Sequence, residues 1–197
     1  MSYEVLRDDD PRCAVLEAGG YRLVGESWGA RLRDPDPALL EAAVLRVAGS
    51  GVSARELGSE FAEAYHELEL ANEKDYPYTP ATHHVVGDLE QFRALWGDGG
   101  RVFGALDGER LVGATSIGPM EGRWDTSFTS VLSEYRGKGI GQAVKAASIL
   151  ALLADGVRVF GTGGADQNDA SLGANLALGY VVEERWRSYA APVTDGE

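Results

Sequence analysis

The spacing of apolar positions changes several times along the chain, and each change marks an element. In SEFAEAYHELELANEKDYP (59–77), Phe61, Tyr65 and Leu68 share one face of a predicted helix. Ser59 is placed to cap it and Tyr76-Pro77 to end it. VSARELG (52–58) reads as a short strand ahead of that helix, and GDLEQFRALWG (87–97) as a second short helix with Leu89, Phe92, Leu95 and Trp96 inward. From Arg101 the period drops to two. RVFGALDGERLVGATSIG sets Asp107-Gly108 between two β-prone runs, a hairpin signal. RWDTSFTSV (123–131) continues as a third strand, with Trp124, Thr126 and Phe128 on one face and Asp125, Ser127, Thr129 and Val131 on the other. Helical spacing returns with Ile140, Val144, Ala147 and Ala151 and stops at Asp155-Gly156. VRVFGTG (157–163) then reads as a buried strand, DQNDASLGANLALG (166–179) as a helix ending at Gly179, and YVVEERWRSYAAP (180–192) as a closing hairpin or bent strand pair. This order predicts an α+β fold: a mixed, mostly antiparallel central sheet with helices on both faces.

Two Asp-Pro pairs open DPDPALLEAAVLRVAGSG (34–51), which ends in small residues, as a linker around a short helix would. The expected division is an N-terminal helix-strand segment over 1–34, a linker with a short helix over 35–51 and a main domain over 52–197.

Composition narrows the function. A chain of 197 residues with 44% hydrophobic residues can bury a real core. Cys13 is its single cysteine, so no internal disulfide can form, and its neighbours spell no metal site. A formal charge of −13 argues against a nucleic-acid partner and suits a cationic substrate such as an amine. The start MSYEVLRDDD is acidic where a signal peptide would be basic, and no apolar run approaches the roughly 20 residues of a bilayer crossing. A cytoplasmic protein without a membrane partner is expected.

The candidate chemistry lies at YRGKGIG (135–141), a cationic glycine elbow between a strand and a helix. A phosphate-binding loop of the Walker type needs Ser or Thr after its lysine, and Gly139 follows Lys138. A dinucleotide fingerprint needs other glycine spacing and a parallel unit. R-x-x-G-x-G remains. Its glycines let backbone approach a pyrophosphate, the free N–H groups of the helix start face it, and Arg136 and Lys138 add counter-charge.

This motif, set after a hairpin and third strand and followed by NDASLGANLALGY, resembles the acyl-CoA-binding region of the GNAT acyltransferase superfamily over roughly residues 52–190. The resemblance implies an acyl-CoA donor. Its pantetheine arm would lie along the backbone of Val131, Leu132 and Ser133, as an added strand pairs with a sheet edge. The Val131 N–H would polarise the thioester carbonyl. Arg136 and the amides of Gly137, Lys138, Gly139, Ile140, Gly141 and Gln142 would take the pyrophosphate. Asn168 stands where the family often has an asparagine on the cofactor arm, and it equally suits an ordinary helix cap.

Acyl transfer to an amine needs a base for the ammonium proton. Asp125, projecting from the third strand on the face assigned to Val131, is the candidate, with His83 or His84 in a Pro- and Tyr-rich loop as others. Many family members place a tyrosine five residues before the aromatic after Leu-Gly, as acid for the thiolate. This chain has Asn175 there. Ser171 or a water then substitutes, or no acid is needed. Glu60, Glu63 and Glu67 read as a solvated helix face. Among the aromatic residues Tyr65, Tyr76, Tyr78, Trp96 and Trp124, core packing suits Tyr65 and Trp96, and the others are candidates to line a pocket.

An internal repeat completes the reading. DDPRCAVLEAGGYRLVGESW (9–28) aligns with NDASLGANLALGYVVEERW (168–186), pairing Leu16 with Leu176, Gly20 with Gly179, Tyr21 with Tyr180 and Trp28 with Trp186. A last GNAT helix and strand thus occur twice, as in a remnant of a tandem ancestor similar to mycothiol synthase. Such a fragment must dock on the main domain or exchange with a second subunit, which makes a homodimer an expectation. The function expected is transfer of an acetyl group from acetyl-CoA to the primary amine of a small molecule, without a metal. The alternative is a non-catalytic CoA-binding or regulatory module.

Overall fold

The structure, a computed structural model, describes residues 3–76, 79–82, 84–97 and 99–192. Its strands are β1 (Tyr3–Arg7), β2 (Arg22–Arg33), β3 (Val52–Leu57), β4 (Arg101–Asp107), β5 (Arg110–Met120), β6 (Arg123–Val131), β7 (Val159–Ala165) and β8 (Val181–Ala190). They form one sheet in the order β1-β8-β2-β7-β6-β5-β4-β3. Every pairing is antiparallel except β6 with β7. The helices are α1 (Arg12–Ala18), α2 (Pro37–Ala48), α3 (Ala62–Asn72), α4 (Leu89–Ala94), α5 (Ile140–Ala154) and α6 (Asp169–Leu176). The fold is the expected mixed α+β sheet with helices on both faces.

Neighbouring strand residues point to opposite faces, and the two cores follow from that. On one face Phe103, Ile117 and Phe160 pack with Leu40 and Ala43 of α2 and Ile149 and Leu152 of α5. On the other, Val102 and Ala114 pack with Tyr65 and Leu68 of α3 and Phe92 of α4. Segment 34–51 is therefore more than a linker. Asp36 caps α2 by accepting the Ala38 N–H at 2.9 Å, Pro37 occupies its first turn, and Leu40, Ala43 and Val47 are buried. Ser59 does not cap α3. Ser59–Phe61 form a 3₁₀ turn, and α3 follows without a side-chain cap. The second short helix does begin under a capping box, between Asp88 and Gln91.

The largest departures lie at the two ends of the chain. Residues 181–190 make one strand, not a hairpin, because the N-terminal segment supplies both of its partners: β1 on one side and β2 on the other. The repeat is thus a whole strand-helix-strand unit, β1-α1-β2 matched by β7-α6-β8. Exchanging the copies reproduces the order β1-β8-β2-β7 in reverse. The two helix ends agree in detail. Gly20 (φ 80°) and Gly179 (φ 92°) are both left-handed, and the N–H groups of Tyr21 and Tyr180 reach back to Leu16 O and Asn175 O at 3.0 and 3.2 Å. This geometry sets Leu16 opposite Asn175, one residue away from the pairing with Leu176 that the sequences suggest.

A candidate active site where two strands part

β6 and β7 pair only at Trp124–Phe160 and Asp125–Gly161, and beyond these residues they diverge. The gap opens a cleft of about 1460 Å³ that reaches both faces of the sheet. A bulge helps to shape it. Ile117 faces Thr126 and Ser116 faces Phe128, so Ser127 is an extra residue on β6. One extra residue moves every later side chain to the other face. Thr129 and Val131 therefore share the face of Trp124 and Thr126, while Phe128 and Ser130 share that of Asp125. This corrects the predicted alternation. Asp125 also lies outside the cleft lining, with its carboxylate held by Arg123 at 2.7 and 3.0 Å.

At the mouth of the gap, Gly137 (φ 73°) and Gly139 (φ 81°) take left-handed conformations, and Gly139 starts α5. An L side chain at Gly139 would strain this turn. The first N–H groups of α5 have no acceptor within the helix. Leu132 N–H donates to Val112 O at 3.0 Å, so the opposed pair Val131–Gly113 is not mutually hydrogen-bonded. The N–H groups of Val131 and, two residues back, Thr129 then point away from β5 into the gap. Sequence reasoning named Val131 and missed Thr129, because the bulge that fixes the phase is invisible in a period-two count.

The other predicted loop residues divide. Gly137, Gly139, Ile140, Gly141 and Gln142 border the cleft; Leu132, Ser133 and Lys138 do not. Leu132 packs into the cores, Ser133 Oγ donates to Glu134 at 3.2 Å, and Lys138 Nζ lies 4.8 Å from the Tyr135 ring centroid. Arg136 reaches the cleft but is not a free counter-charge. Its Nε donates to Val131 O at 3.0 Å, and its Nη2 lies 2.7 Å from both Asn72 Oδ1 and Asp75 Oδ2. It ties the elbow to α3.

The floor of the cleft carries a group that sequence reasoning passed over. Lys145 on α5 is 5% exposed, and its Nζ donates to Asn175 Oδ1 at 2.7 Å and Thr162 Oγ1 at 3.2 Å. Burial lowers its pKa to about 7. The available signal was a lone charge in the run from Ala143 to Ala154. Asn168 and Ser171 also border the cleft. Asn168 Oδ1 accepts the Ser171 N–H at 3.1 Å, so Asn168 is a helix cap.

On the opposite face, His84 Nε2 and Glu69 Oε2 are 2.6 Å apart, with Glu69 3% exposed. The His84 ring stacks on Phe128 at 3.6 Å, and Tyr76, whose hydroxyl donates to Thr129 O at 3.2 Å, packs against Phe128 from another side. Ser27 and Trp186 complete this wall. Tyr65 and Trp96 are packing residues, as expected: Tyr65 is fully buried and Trp96 donates to Leu57 O at 2.8 Å. Trp124 packs against the core on the α5 face, outside the cleft lining. Glu60, Glu63 and Glu67 are exposed. His83 and Tyr78 lie outside the described residues.

Residues 61–180 match the acetyltransferase (GNAT) family. The chain belongs to that family. GNAT members transfer acyl groups from acyl-CoA. Among curated proteins none matches the chain in sequence. Solved structures share its fold. A GCN5-related N-acetyltransferase from Sphaerobacter thermophilus has a TM-score of 0.68 at 16% identity, covering 95% of this chain and 58% of its own. A tandem GNAT protein from the clavulanic acid biosynthesis pathway has a TM-score of 0.67 at 22% identity, covering 99% of this chain and 65% of its own. The GCN5-related N-acetyltransferase from Kribbella flavida has a TM-score of 0.57 at 20% identity, covering 98% and 68%. The chain thus spans less than two thirds of the length of the first two.

The GNAT site fits a CoA thioester in its donor set: unpaired amides at the start of α5 suit a pyrophosphate, and the inward amides of β6 suit an extended arm. Among the described residues no helix is long and apolar enough to cross a membrane.

Proposed function

We propose that this GNAT protein moves an acetyl group from acetyl-CoA to the primary amine of a small molecule, by direct attack in a ternary complex. One observation carries the reading: a single cleft runs through the sheet from the glycine elbow on the helix side to His84 on the other. A donor entering by the elbow and an amine entering by His84 would meet in the gap between β6 and β7. Glu69 holds His84 Nε2, which leaves Nδ1 to take the ammonium proton. This pair replaces Asp125 in the role of base. The amides of Thr129 and Val131 would receive the carbonyl oxygen as it gains charge. Cys13 is buried, donates to Arg7 O at 3.2 Å and does not border the cleft, so nothing supports a covalent acyl-enzyme.

The test is release of free thiol from acetyl-CoA across a panel of primary amines. Release that requires an amine, and that falls about 100-fold or more in His84→Ala, supports the reading. Binding of acetyl-CoA without release across the panel would make the protein a CoA-binding module instead. The same reading places the protein in the cytoplasm, where acyl-CoA is supplied. The expected homodimer is checked by its solution mass.

A further inference from the structure

Lys145 is the one charged side chain on α5, four residues beyond Gly141 and therefore one turn past the anion-binding end. It borders the cleft, yet everything that holds it is neutral: Asn175 Oδ1, Thr162 Oγ1 and, with the ring centroid 6.0 Å away, Tyr180. Among the described residues no carboxylate forms an ion pair with it. The Asn175 amide is orientated for this contact, because its Nδ2 donates to Ser171 O at 2.8 Å and so turns Oδ1 to the lysine. An ammonium has three N–H donors, and two are taken. Burying a cation without a counter-charge is unfavourable, and an inward helix position of this kind is otherwise filled by an apolar side chain. A negative charge arising in the cleft would balance the ammonium.

Acyl transfer from a thioester creates two negative charges in the gap. One develops on the carbonyl oxygen, for which β6 offers the amides of Thr129 and Val131. The other develops on sulfur as the carbon–sulfur bond breaks. On the helix side of the cleft Asn168, Asn175 and Gln167 are amides, Ser171 and Thr162 hydroxyls and Asp169 a carboxylate, and the Tyr135 hydroxyl is committed to Asp107 Oδ2 at 2.6 Å, which leaves Lys145 as the group with a proton to give.

We propose that Lys145 is the proton donor to the departing CoA thiolate, with Asn175 and Thr162 as the residues that aim it. The inference rests on the acyl-CoA reading of the cleft. The amine lone pair forms the new C–N bond while the carbonyl pair moves to oxygen. When the carbonyl re-forms, the C–S bonding pair stays on sulfur and the Lys145 ammonium gives it a proton, leaving CoA thiol and a neutral lysine. The acceptor nitrogen loses two protons in reaching the amide: one passes to solvent through His84, and the other restores Lys145. The sum is ammonium plus thioester giving amide, thiol and one proton.

Contact with sulfur can be measured without knowing the acceptor. CoA and desulfo-CoA, which carries hydrogen in place of the thiol, are titrated calorimetrically near neutral pH into the wild-type chain, Lys145→Met and Lys145→Gln. The wild type is expected to bind CoA about tenfold more tightly than desulfo-CoA, the gain of a hydrogen bond to a charged group. Lys145→Met should bring the two within about twofold by weakening CoA alone. Lys145→Gln keeps an N–H donor for Asn175 and gives the same reading if the methionine variant does not fold. Equal affinities in the wild type, or a preference for CoA that survives both substitutions, would overturn the proposal while leaving acyl-CoA binding intact. Failure of both ligands to bind the wild type would overturn the acyl-CoA reading and this proposal with it.

Discussion

The two strand-helix-strand copies, β1-α1-β2 and β7-α6-β8, share a helix end and interleave in one sheet, but they have been put to different uses. In the first, Leu16 and Cys13 pack with Leu6 and Tyr189 in a small apolar cluster, and Trp28 is 2% exposed with its indole N–H on Ala165 O at 3.3 Å. In the second, Asn175 replaces the leucine and holds Lys145, Asn168 caps the helix at the cleft, and Trp186 lines the cleft wall. Both tryptophans border the cleft, but from opposite faces of the sheet, because Trp186 opposes Ser27 and not Trp28 across the ladder. Backbone geometry is common to both copies. What differs is the polar set: only the second copy offers Asn175 and Thr162 to the buried Lys145 of α5.

β2 lies between β7 and β8 in the interior of the sheet, so a chain beginning at residue 35 should lose cooperative unfolding, followed by circular dichroism on heating. A melt like that of the full chain would show the segment to be an accessory. Next in size, Trp28→Ala should cost about 3–5 kcal/mol in urea unfolding, whereas Trp186→Ala should cost about 1 kcal/mol or less and raise the KM for the amine.

The pH dependence of stability reports on the lysine of α5 that the second copy holds. Lys145 has a pKa of about 7 in the fold and about 10.4 when unfolded. Between those values the unfolded chain binds more protons, so the group contributes stability that grows as pH rises from 7, by up to about 1.4 kcal/mol per unit. Below pH 7 that gain is absent. Lys145→Met should flatten the slope measured between about pH 7 and 9, and an unchanged slope would remove the buried ammonium from the account. The smallest effect tests equivalence. Gly20→Ala and Gly179→Ala should each cost about 1 kcal/mol, alike within error, because both replace a left-handed helix-ending glycine.

Much of this was legible in the sequence. Local signals gave the hairpin at Asp107-Gly108, the glycine elbow and the helix that follows it, because turn chemistry and periodicity act over a few residues. The repeat showed that the N-terminal segment belonged with the end of the chain. What stayed hidden depends on distant partners. β8 reads as half of a hairpin until β1 and β2 take its two edges. The bulge at Ser127 moves Asp125 to the other face and is set by pairing with β5. Glu69 and His84 lie 15 residues apart and meet where the His84 ring stacks on Phe128 of β6. Lys145 looks like a break in an apolar helix until Thr162 and Asn175 close around it.

The claim that the elbow at residues 137–142 holds an acyl-CoA is tested most directly by thermal unfolding with and without acetyl-CoA, beside NADH and ATP. At roughly 100 times its Kd, acetyl-CoA should add about 2.7 kcal/mol of stability, and the rise in Tm should vanish in Gly139→Val while the other nucleotides give none. No rise at saturating acetyl-CoA, or a rise that survives Gly139→Val, would contradict the site.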